Sequence, residues 1–375
     1  MSRVLILTAG YGEGHNSAAR ALKSAFDEQP GIEAELVDIF ALVAPRLNNI
    51  TRHGYIRIIN SAPKVWSTFY NWLDRSSSAP AMMRTLATHR RRLARIIAEK
   101  QPVALVSTYP VYAWLAQQMR THGELSCPLY TVVTDAITIN SLWYRAPSDG
   151  WFVTDAESAA FLRARGVPAD KVHTSGFPVA LAFADRPAAL QPPEPVGPAK
   201  SRRVLYMINS SPSVALPIVR ALLQHADWHI TFTTGRNAKF RTEVEALARA
   251  SKTPTEVIGW TDRIPELLMT HHVVISKAGG ATTQESINAL CPLVVSQIVP
   301  GQEEGNYELL RRSDAGVLAT TPETIVTQLK AAFAQDASLW RHWRKNLHKI
   351  AHPAAARTIA SHVLEHATTG SLVAK

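Results

Sequence analysis

Short apolar runs alternate along the chain with longer stretches in which apolar residues recur at helical spacing. In the first half, the runs that predict strands are 4–8, 104–108, 130–134, 151–154 and 172–175. The stretches between them that predict helices include 17–27, 113–122 and 157–165. Short buried strands separated by helices are typical of a parallel sheet with crossover helices.

A proline-rich stretch, residues 185–203, interrupts this pattern and has the composition of a semi-rigid linker. After it the pattern restarts, with predicted strands at 204–208, 229–233, 256–258, 273–276, 293–297 and 317–319 and predicted helices that include 282–290 and 306–313. We therefore predict an α/β protein with two doubly wound domains. The predicted boundaries are 1–185 for the first domain, 186–200 for the linker and 201–375 for the second domain, whose C-terminal helices could pack back on the first. Ligands of such sheets bind beyond the carboxyl ends of the strands, and two such ends can face each other across a cleft.

The composition agrees with a two-domain globular protein. The 375 residues exceed one ordinary core of about 150 residues, and 46% are hydrophobic against 19% charged. Lys and Arg number 40 against 30 Asp and Glu, a formal net charge of +10. This excess favours a polyanionic partner or an anionic surface, and leaves nucleic acid, membrane headgroups and phosphorylated substrates open.

Cysteine usage and hydropathy limit the cellular compartment and the kind of membrane association that we expect. Cys127 and Cys291 are far apart and form no Cys-x-x-Cys pair, so neither a zinc site nor a disulfide framework is predicted, and a reduced cytosolic compartment is expected. The apolar run at the N-terminus is too short for a signal peptide. The chain has no run of about 18 apolar residues that would span a membrane. We expect a protein that is soluble or lies on a membrane without crossing it.

A long insert at 50–98 does not fit a plain doubly wound domain. Its first part is rich in aromatic residues, among them Trp66, Phe69 and Trp72. Its second part predicts a basic amphipathic helix that carries Arg90, Arg91 and Arg92 among other arginines. Two interpretations stay open: the helices cover the sheet, or they form an interfacial surface with arginines on anionic headgroups. No nucleic-acid-binding signature accompanies the arginines, so we expect no nucleic acid partner.

The stretch VLILTAGYGEGHNSAARAL, residues 4–22, places a histidine between a glycine-rich turn and a helix. Its glycines are only weakly related to the dinucleotide fingerprint, because the last spacing is wrong and Asp38 is not clearly placed after a strand. A dinucleotide site would also leave His15 unexplained. An exposed imidazole at a loop tip is suited to accept a proton near neutral pH, although a capping or packing role is equally open.

A second motif, ISKAGGATTQESINAL, follows a predicted strand. Gly279 and Gly280 let the backbone approach a ligand closely. Thr282 or Thr283 could cap a helix whose N-terminus favours an anion such as a diphosphate. Glu285 could accept two hydroxyl groups of a ribose. Another predicted strand ends in PGQEEGN, which brings amide and carboxylate groups suited to sugar hydroxyls, although each Glu alone could be a solvated helix charge.

Taken together and in this order, these motifs resemble glycosyltransferase family 28, in particular its glycolipid branch of monogalactosyldiacylglycerol synthases and processive diacylglycerol glucosyltransferases. LTAGYGEGHNSAA resembles the branch's N-terminal motif, and GWTDRIPELL, SKAGGATTQES and PGQEEGN resemble its nucleotide-sugar half. The resemblance covers most of residues 3–320. It implies a GT-B fold, with two Rossmann-like domains that bind the acceptor in the first domain and the donor in the second.

The resemblance also implies roles for individual residues. His15 takes the place of the catalytic base. The implied donor-binding residues are Gly279, Gly280, Thr282, Thr283, Glu285, Gln302, Glu303, Asn306 and Trp260. The implied acceptor-binding residues are Gly14, Tyr109, Asp135 and Trp143, and the implied membrane contacts are Trp66, Phe69, Trp72, Arg90, Arg91 and Arg92.

The implied activity is inverting, metal-independent transfer of a hexose from a UDP-sugar to a lipid acceptor, with diacylglycerol expected, to give a β-glycolipid. The expected partners are the UDP-sugar, the lipid acceptor and an anionic membrane surface, with no cofactor, and the expected location is peripheral on the inner face of the cell membrane. Two alternatives stay open: transfer to a soluble or other non-diacylglycerol acceptor, and a non-catalytic nucleotide-sugar-binding protein. The second is favoured by one departure, because residues 206–217 (YMINSSPSVALP) have no glycine where the family has a glycine-rich loop.

Overall fold

The computed structural model describes residues 1–10, 12–45, 82, 84–186, 202–300 and 303–370. Gln302, the aromatic residues Trp66, Phe69 and Trp72, and nearly all of the linker predicted at 186–200 lie outside the described residues. The chain divides into two compact units, Met1–Leu181 with Pro300–Gly305 and His352–Lys375, and Ala182–Val299 with Asn306–Ala351.

The first unit is a six-stranded sheet with flanking helices. Its strands are β1 (Ser2–Leu7), β2 (Ile32–Val37), β3 (Ala104–Ser107), β4 (Leu129–Val132), β5 (Gly150–Val153) and β6 (Val172–Thr174). Its helices are α1 (Glu13–Asp27), α2 (Ile39–Val43), α3 (Ala87–Lys100), α4 (Val111–Thr121) and α5 (Ala156–Arg163), followed at the far end of the chain by α13 (Ala355–Gly370).

All six strands are parallel, in the order β2-β1-β3-β4-β5-β6. The chain proceeds from β1 to β2 on one side and then to β3 on the other, so the topological switch point lies between β1 and β3. The three central strands β3 to β5 are buried at every position, as expected for a sheet that is covered on both faces.

Edge strand β2 is missing from the strands that the sequence predicted. Its sequence IEAELV alternates apolar and charged residues, and its glutamates form ion pairs at the surface, Glu33 with Arg3 at 3.0 Å and Glu35 with Lys100 at 2.6 Å. An edge strand is only half covered, so it lacks the continuous apolar run of its neighbours.

The predicted basic amphipathic helix is confirmed as α3, and the structure shows what its apolar side contacts. Leu93, Ile96 and Ile97 are buried in the core shared with β1, β3 and α4. Arg90 does not have the exposed position that the predicted membrane contact requires. It is buried and forms an ion pair with Glu124. Arg91 and Arg92 are exposed. The apolar side of the helix therefore covers the sheet, and only the other side is available to a surface.

The C-terminal helix α13 packs against α1 within the first unit. Ala356, Ile359, Ala360 and Val363 are fully buried in a core with residues of β1, β4 and α1. This helix completes the cover on one face of the first sheet.

The second unit repeats the architecture. Its strands are β7 (Arg202–Met207), β8 (Trp228–Thr233), β9 (Thr255–Ile258), β10 (Val273–Lys277), β11 (Leu293–Gln297) and β12 (Gly316–Leu318). Its helices are α6 (Pro212–Leu222), α7 (Ala238–Arg249), α8 (Ile264–Thr270), α9 (Gly280–Ala289), α10 (Glu304–Arg312), α11 (Pro322–Phe333) and α12 (Ser338–Ile350). The parallel order β12-β11-β10-β7-β8-β9 puts the switch point between β7 and β10.

The glycine-free loop after β7 is built without strain. None of the residues 206–217 has a positive φ, and Ser211 before α6 has φ −64° and ψ 154°. Glycine is needed only where the backbone enters the left-handed region. The departure from the family's glycine-rich loop therefore does not disturb the turn between β7 and α6.

None of the described helices combines the length and the apolar character needed to cross a bilayer.

We predict that Tyr112→Phe destabilises the protein. The buried Tyr112 hydroxyl donates to the Thr8 carbonyl at 2.7 Å and accepts from the Ile39 amide at 3.1 Å, so it joins the ends of β1 and β2 to α4. Its removal leaves a buried N–H and a buried C=O without this partner, a cost of about 1–3 kcal/mol in the free energy of unfolding.

Urea denaturation of the wild type and the variant measures this loss. Tyr144→Phe is the matched control, because the Tyr144 side chain is only partly buried and its hydroxyl has no hydrogen bond to another described residue. Equal losses in the two variants would contradict the prediction.

Candidate active site

His15 lies at the switch point of the first sheet, but in a different local structure from the one predicted. It is the third residue of α1, inside the first helical turn, and not at the tip of the preceding loop. Gly14 lies beside it in the same turn, and Gly12 precedes the helix in an extended conformation, with φ 178° and ψ 143°. The first turn of α1 has no side-chain cap.

The imidazole of His15 is enclosed by side chains that follow β3 and β4. Its Nδ1 lies 2.9 Å from Oγ1 of Thr134. The ring of Tyr109 meets it edge-on, with centroids 5.1 Å apart at 81°, and the Trp143 ring lies 5.9 Å away at 48°. The structure thus brings together three residues that the sequence predicted for the acceptor side of one site, namely His15, Tyr109 and Trp143.

Burial lowers the pKa of His15 to about 4, while a hydrogen bond with the Thr108 backbone acts in the opposite direction. Part of the residue remains accessible, but the loss of ring hydration outweighs that access because aromatic and hydroxyl groups surround the ring. The imidazole is therefore neutral at physiological pH. Exposure at a loop tip was the wrong expectation, whereas a neutral imidazole is the form that can accept a proton.

Trp143, whose ring lies beside the imidazole, is hydrogen-bonded to Asp135. The Trp143 indole N–H donates to Oδ2 of Asp135 at 2.8 Å, and the Trp143 carbonyl accepts from the indole of Trp151 at 2.9 Å. Trp143 is only 1% exposed, whereas Asp135 is partly exposed. Trp143 is thus fixed in place as a wall, and Asp135 can offer an acceptor oxygen.

Asp38 directly follows β2, and its carboxylate is fully used by the protein. One oxygen accepts from the Gly10 amide at 3.0 Å, and the other accepts from the amides of Phe40 and Ala41 at 3.0 Å each. These bonds tie the glycine turn to the N-terminus of α2. Asp38 is therefore a structural residue and does not support a dinucleotide site.

A row of aromatic rings leads away from His15 within the first unit. Tyr109 lies 5.8 Å from Phe40, and Phe40 lies 5.2 Å from His89 on α3. The sequence did not indicate Phe40 or His89, because nothing in their local pattern separates them from core residues. The row connects the surroundings of the imidazole to the helix that carries the exposed arginines.

In the second unit, helix α9 begins directly at the end of β10, beside the switch point. Gly279 is its N-cap, with φ −67° and ψ 143°, and as a glycine it has no side chain that could cap the helix. The prediction that Thr282 or Thr283 caps this helix is wrong, because both lie inside it. The N–H groups of the first turn, beginning at Gly280, and the helix dipole together favour an anion.

The two sides of α9 differ in exposure. Thr283 is fully buried, and its hydroxyl has no hydrogen-bond partner among the described residues. Thr282 and Glu285, three positions apart on one helix side, are partly exposed. Thr282 and Glu285 are therefore the predicted donor-binding residues of this helix that a ligand can reach, while Thr283 belongs to the packed side.

Asn306 on α10 supports the start of α9. Its side-chain amide donates to the Ala278 carbonyl at 3.0 Å, and the residue is 6% exposed. Glu303, just before α10, is 5% exposed. Asn306 therefore positions the backbone ahead of Gly279.

Trp260 follows β9 and is 63% exposed, the most exposed large apolar side chain of the second unit among the described residues. The Arg236 guanidinium lies 5.0 Å from the centre of its ring. Such a cation–π contact holds an exposed aromatic ring in one orientation. The ring is thus available for stacking by a planar group.

One residue near the second switch point was not predicted. The Asn209 side chain, in the loop after β7, donates to Oγ of Ser276 at the end of β10 at 2.8 Å. This bond joins the ends of the two strands between which the switch point lies. No local pattern in the sequence indicated this bond, because its partner lies 67 residues further along the chain.

No group of three or more His, Cys, Asp or Glu side chains in the described part of the chain is arranged to bind a metal ion.

Comparison with known proteins agrees with this geometry. The family model of monogalactosyldiacylglycerol (MGDG) synthase matches residues 15–179. Processive diacylglycerol beta-glucosyltransferase of Bacillus cereus (strain B4264) is 24% identical over 343 residues, covering 90% of this chain and 87% of the relative. The protein of the same description from Bacillus cytotoxicus is also 24% identical, over 100% of this chain and 96% of its own length.

Solved structures share the fold at low sequence identity. Acinetobacter baumannii MurG has a TM-score of 0.64 and 15% identity and covers 97% of this chain and 100% of its own. S. aureus MnaA, solved with UDP, has a TM-score of 0.62 and 11% identity over 97% of this chain and 96% of its own. UDP-GlcNAc 2-epimerase from Neisseria meningitidis scores 0.61 at 12% identity over 97% of this chain and 100% of its own.

The predicted GT-B fold is therefore confirmed, and the protein is a glycosyltransferase. More narrowly, its resemblance to the glycolipid branch of family 28 is confirmed by the matched family model and by the relatives. The fold alone does not decide the activity, since an epimerase is among the structures that share it. The relatives in sequence, in contrast, are both named as processive diacylglycerol beta-glucosyltransferases.

We predict that His15 titrates near pH 4, well below the usual 6.5. The unfolded chain binds the proton at 6.5 and the folded chain only near 4. Folding is therefore fully favoured by this group above pH 6.5, and that contribution is lost as the pH falls toward 4. Two-dimensional NMR of protein labelled with ¹⁵N-histidine, with the His15 signals assigned by their absence in His15→Gln, measures the midpoint. A midpoint at or above 6.5 would show that the ring is hydrated.

Proposed function

We propose that the protein is an inverting glycosyltransferase that transfers a hexose from a UDP-sugar to a lipid acceptor, expected to be diacylglycerol, and forms a β-glycolipid. The observation that carries this proposal is the neutral, enclosed imidazole of His15 at the first switch point. The relatives are named for transfer to diacylglycerol. The proposal includes no metal or other cofactor.

The donor half of the proposal depends on helix α9. The N-terminus of this helix, which begins at a glycine N-cap, would stabilise the diphosphate and the negative charge that develops as UDP leaves. Thr282 and Glu285 lie on the accessible side of the helix, where the Glu285 carboxylate would accept hydrogen bonds from the ribose hydroxyls. Gln302 and Glu303 would bind the sugar, with Asn306 holding the backbone in place. The exposed ring of Trp260 would contribute a surface for the planar base.

In the acceptor half, His15 removes the proton of the acceptor hydroxyl. The oxygen attacks the anomeric carbon from the side opposite to UDP, the bond to the diphosphate breaks, and the configuration inverts. A pKa of about 4 makes the imidazole a weak base toward a free alcohol. The hydroxyl becomes strongly acidic only as its oxygen bonds to the anomeric carbon, so proton transfer to His15 follows the attack.

The lipid acceptor is supported by the surroundings of His15. The aromatic row from Tyr109 through Phe40 to His89 ends on α3. The same helix exposes Arg91, Arg92 and Arg95, while its apolar side is buried. An amphipathic acceptor could thus lie with its hydroxyl near His15 and its chains toward a membrane surface. We place the protein peripherally on the inner face of the cell membrane.

The non-catalytic alternative is favoured by the glycine-free loop at 206–217. That loop forms its turn without a positive φ, so the missing glycines do not strain the backbone, and an assay of turnover separates this alternative from the proposed enzyme. Transfer to a soluble acceptor remains the outcome that the following assay would reveal.

We predict that the protein forms a glycolipid from diacylglycerol vesicles and one of a panel of UDP-sugars, with UDP-glucose tested first. Mass spectrometry of the product gives the sugar, the acceptor and the number of sugars added. His15→Ala should lower turnover about 100-fold or more, because general-base catalysis contributes at least that much, while calorimetric UDP affinity stays unchanged.

The control for this variant is His122→Ala. His122 is exposed at the end of α4, and its ring bonds to the carbonyl of Gln118 in its own helix. Near-normal turnover in His15→Ala would make His15 a structural residue. UDP binding without transfer from any donor would favour the non-catalytic alternative, and transfer only to soluble alcohols would overturn the lipid acceptor.

We predict that membrane binding depends on the exposed side of α3. Reversing Arg91, Arg92 and Arg95 to Glu removes contacts of about 1 kcal/mol each with an anionic leaflet, so vesicle affinity should fall about 100-fold. Binding should also weaken as salt rises, because exposed charges are screened. Arg90 is left unchanged, because its reversal would break the partly buried ion pair with Glu124. Vesicle co-sedimentation on neutral and anionic lipids measures both effects.

The matched control reverses Lys239, Arg249 and Lys252, which are exposed on and after α7 in the second unit. It changes the net charge by the same amount at another place. Equal loss in the two triple variants would show a general effect of charge, and no loss in either would leave α3 as a cover for the sheet alone.

A further inference from the structure

Three threonines of the first unit follow three neighbouring strands and form hydrogen bonds with residues at the start of α1. Thr8 follows β1, Thr108 follows β3, and Thr134 comes shortly after β4. All three are at least nine-tenths buried, with exposed fractions of 7%, 0% and 6%. Such burial is costly for a hydroxyl unless it is hydrogen-bonded.

Two of these hydroxyls hold the main chain and the neighbour of His15. Oγ1 of Thr108 donates to the His15 carbonyl at 3.1 Å. Oγ1 of Thr8 donates to Oδ1 of Asn16 at 3.1 Å. The first turn of α1 is thus fixed against the ends of β1 and β3, and the position of the His15 backbone is set.

The third hydroxyl contacts the ring itself. Oγ1 of Thr134 lies 2.9 Å from Nδ1 of His15, across 119 residues of sequence. A neutral imidazole carries hydrogen on only one nitrogen, and the partner of the other nitrogen decides which one. For the base to accept a proton at Nε2, the hydrogen must sit on Nδ1, and a hydroxyl oxygen at hydrogen-bond distance accepts it there.

We propose that Thr134 is a positioning residue for His15, which orients the ring and holds the hydrogen on Nδ1 so that Nε2 is the accepting nitrogen. This inference rests on the proposed role of His15 as a base. Thr134 touches no reacting atom. It acts through the ring, in the place where many histidine bases have a carboxylate.

The test compares Thr134→Val, which keeps the shape of the side chain and removes the hydroxyl, with Thr134→Ser, which keeps the hydroxyl. Long-range ¹H–¹⁵N NMR on histidine-labelled protein shows which ring nitrogen of His15 carries the hydrogen, without any substrate. We expect hydrogen on Nδ1 in the wild type and in Thr134→Ser, and a mixture or a change to Nε2 in Thr134→Val.

In the transfer assay we expect Thr134→Val to lower kcat about 10-fold, the usual effect of one neutral hydrogen bond, with UDP affinity unchanged and with recovery in Thr134→Ser. Thr154→Val is the matched control. It removes a hydroxyl of similar burial, 4% exposed, at the equivalent place after β5, where Thr154 bonds to Asp155 at 2.5 Å. It should change neither the tautomer nor kcat.

Hydrogen on Nε2 in the wild type would mean that Thr134 donates to Nδ1, and would overturn the inference. An unchanged tautomer in folded Thr134→Val would do the same. These NMR outcomes are independent of transfer, so a protein that transfers no sugar but shows the expected tautomers would contradict the proposed function and leave the assignment of Thr134 to the ring intact.

Discussion

The parallel register of β1 is the constraint on which the first unit depends. Leu7 pairs with Val37 of β2 on one side and with Ser107 of β3 on the other. The next residues of the three strands, Thr8, Asp38 and Thr108, therefore leave the sheet at the same level. A shift of one residue would turn each side chain to the other face, and His15 would lose the groups that hold it.

Polar groups at this edge of the sheet form hydrogen bonds with other groups of the protein. Tyr112 joins Thr8 to Ile39, and Asp38 joins Gly10 to the start of α2. Among the described residues at this edge, His15 and Asp135 are partly exposed, so a ligand can reach them. The second unit has a similar arrangement, because Asn209 joins the strand ends through Ser276 and α9 begins beside them at a glycine N-cap. In each unit, hydrogen bonds within the protein fix the strand ends at the switch point.

Much of this fold could be predicted from the sequence, since the central strands are continuous apolar runs that end in Thr, Gly or Pro. The motifs also indicated which residues would meet, as Tyr109, Trp143 and His15 do. The site predictions that differ from the structure concern the exposure of individual residues. His15 was expected at a loop tip, Thr283 at the helix end and Arg90 at the surface, yet each is partly or fully enclosed by groups distant in sequence. Periodicity shows that a helix has two sides, but which polar residue is covered depends on partners such as Glu124 and Thr134, and no local pattern contains them.

The partner of His15 shows why that difference matters for chemistry. A buried carboxylate beside an imidazole raises its pKa and favours the charged ring. A hydroxyl such as that of Thr134 fixes the ring without adding charge, so burial dominates and the pKa falls to about 4. If His15 is the base, as we propose, its ring accepts a proton once that proton has become acidic, which happens as the acceptor oxygen bonds to the sugar. Such a weak base would react little with water or with an unreacted alcohol, and the neutral partner at the strand edge would be the reason for this selectivity.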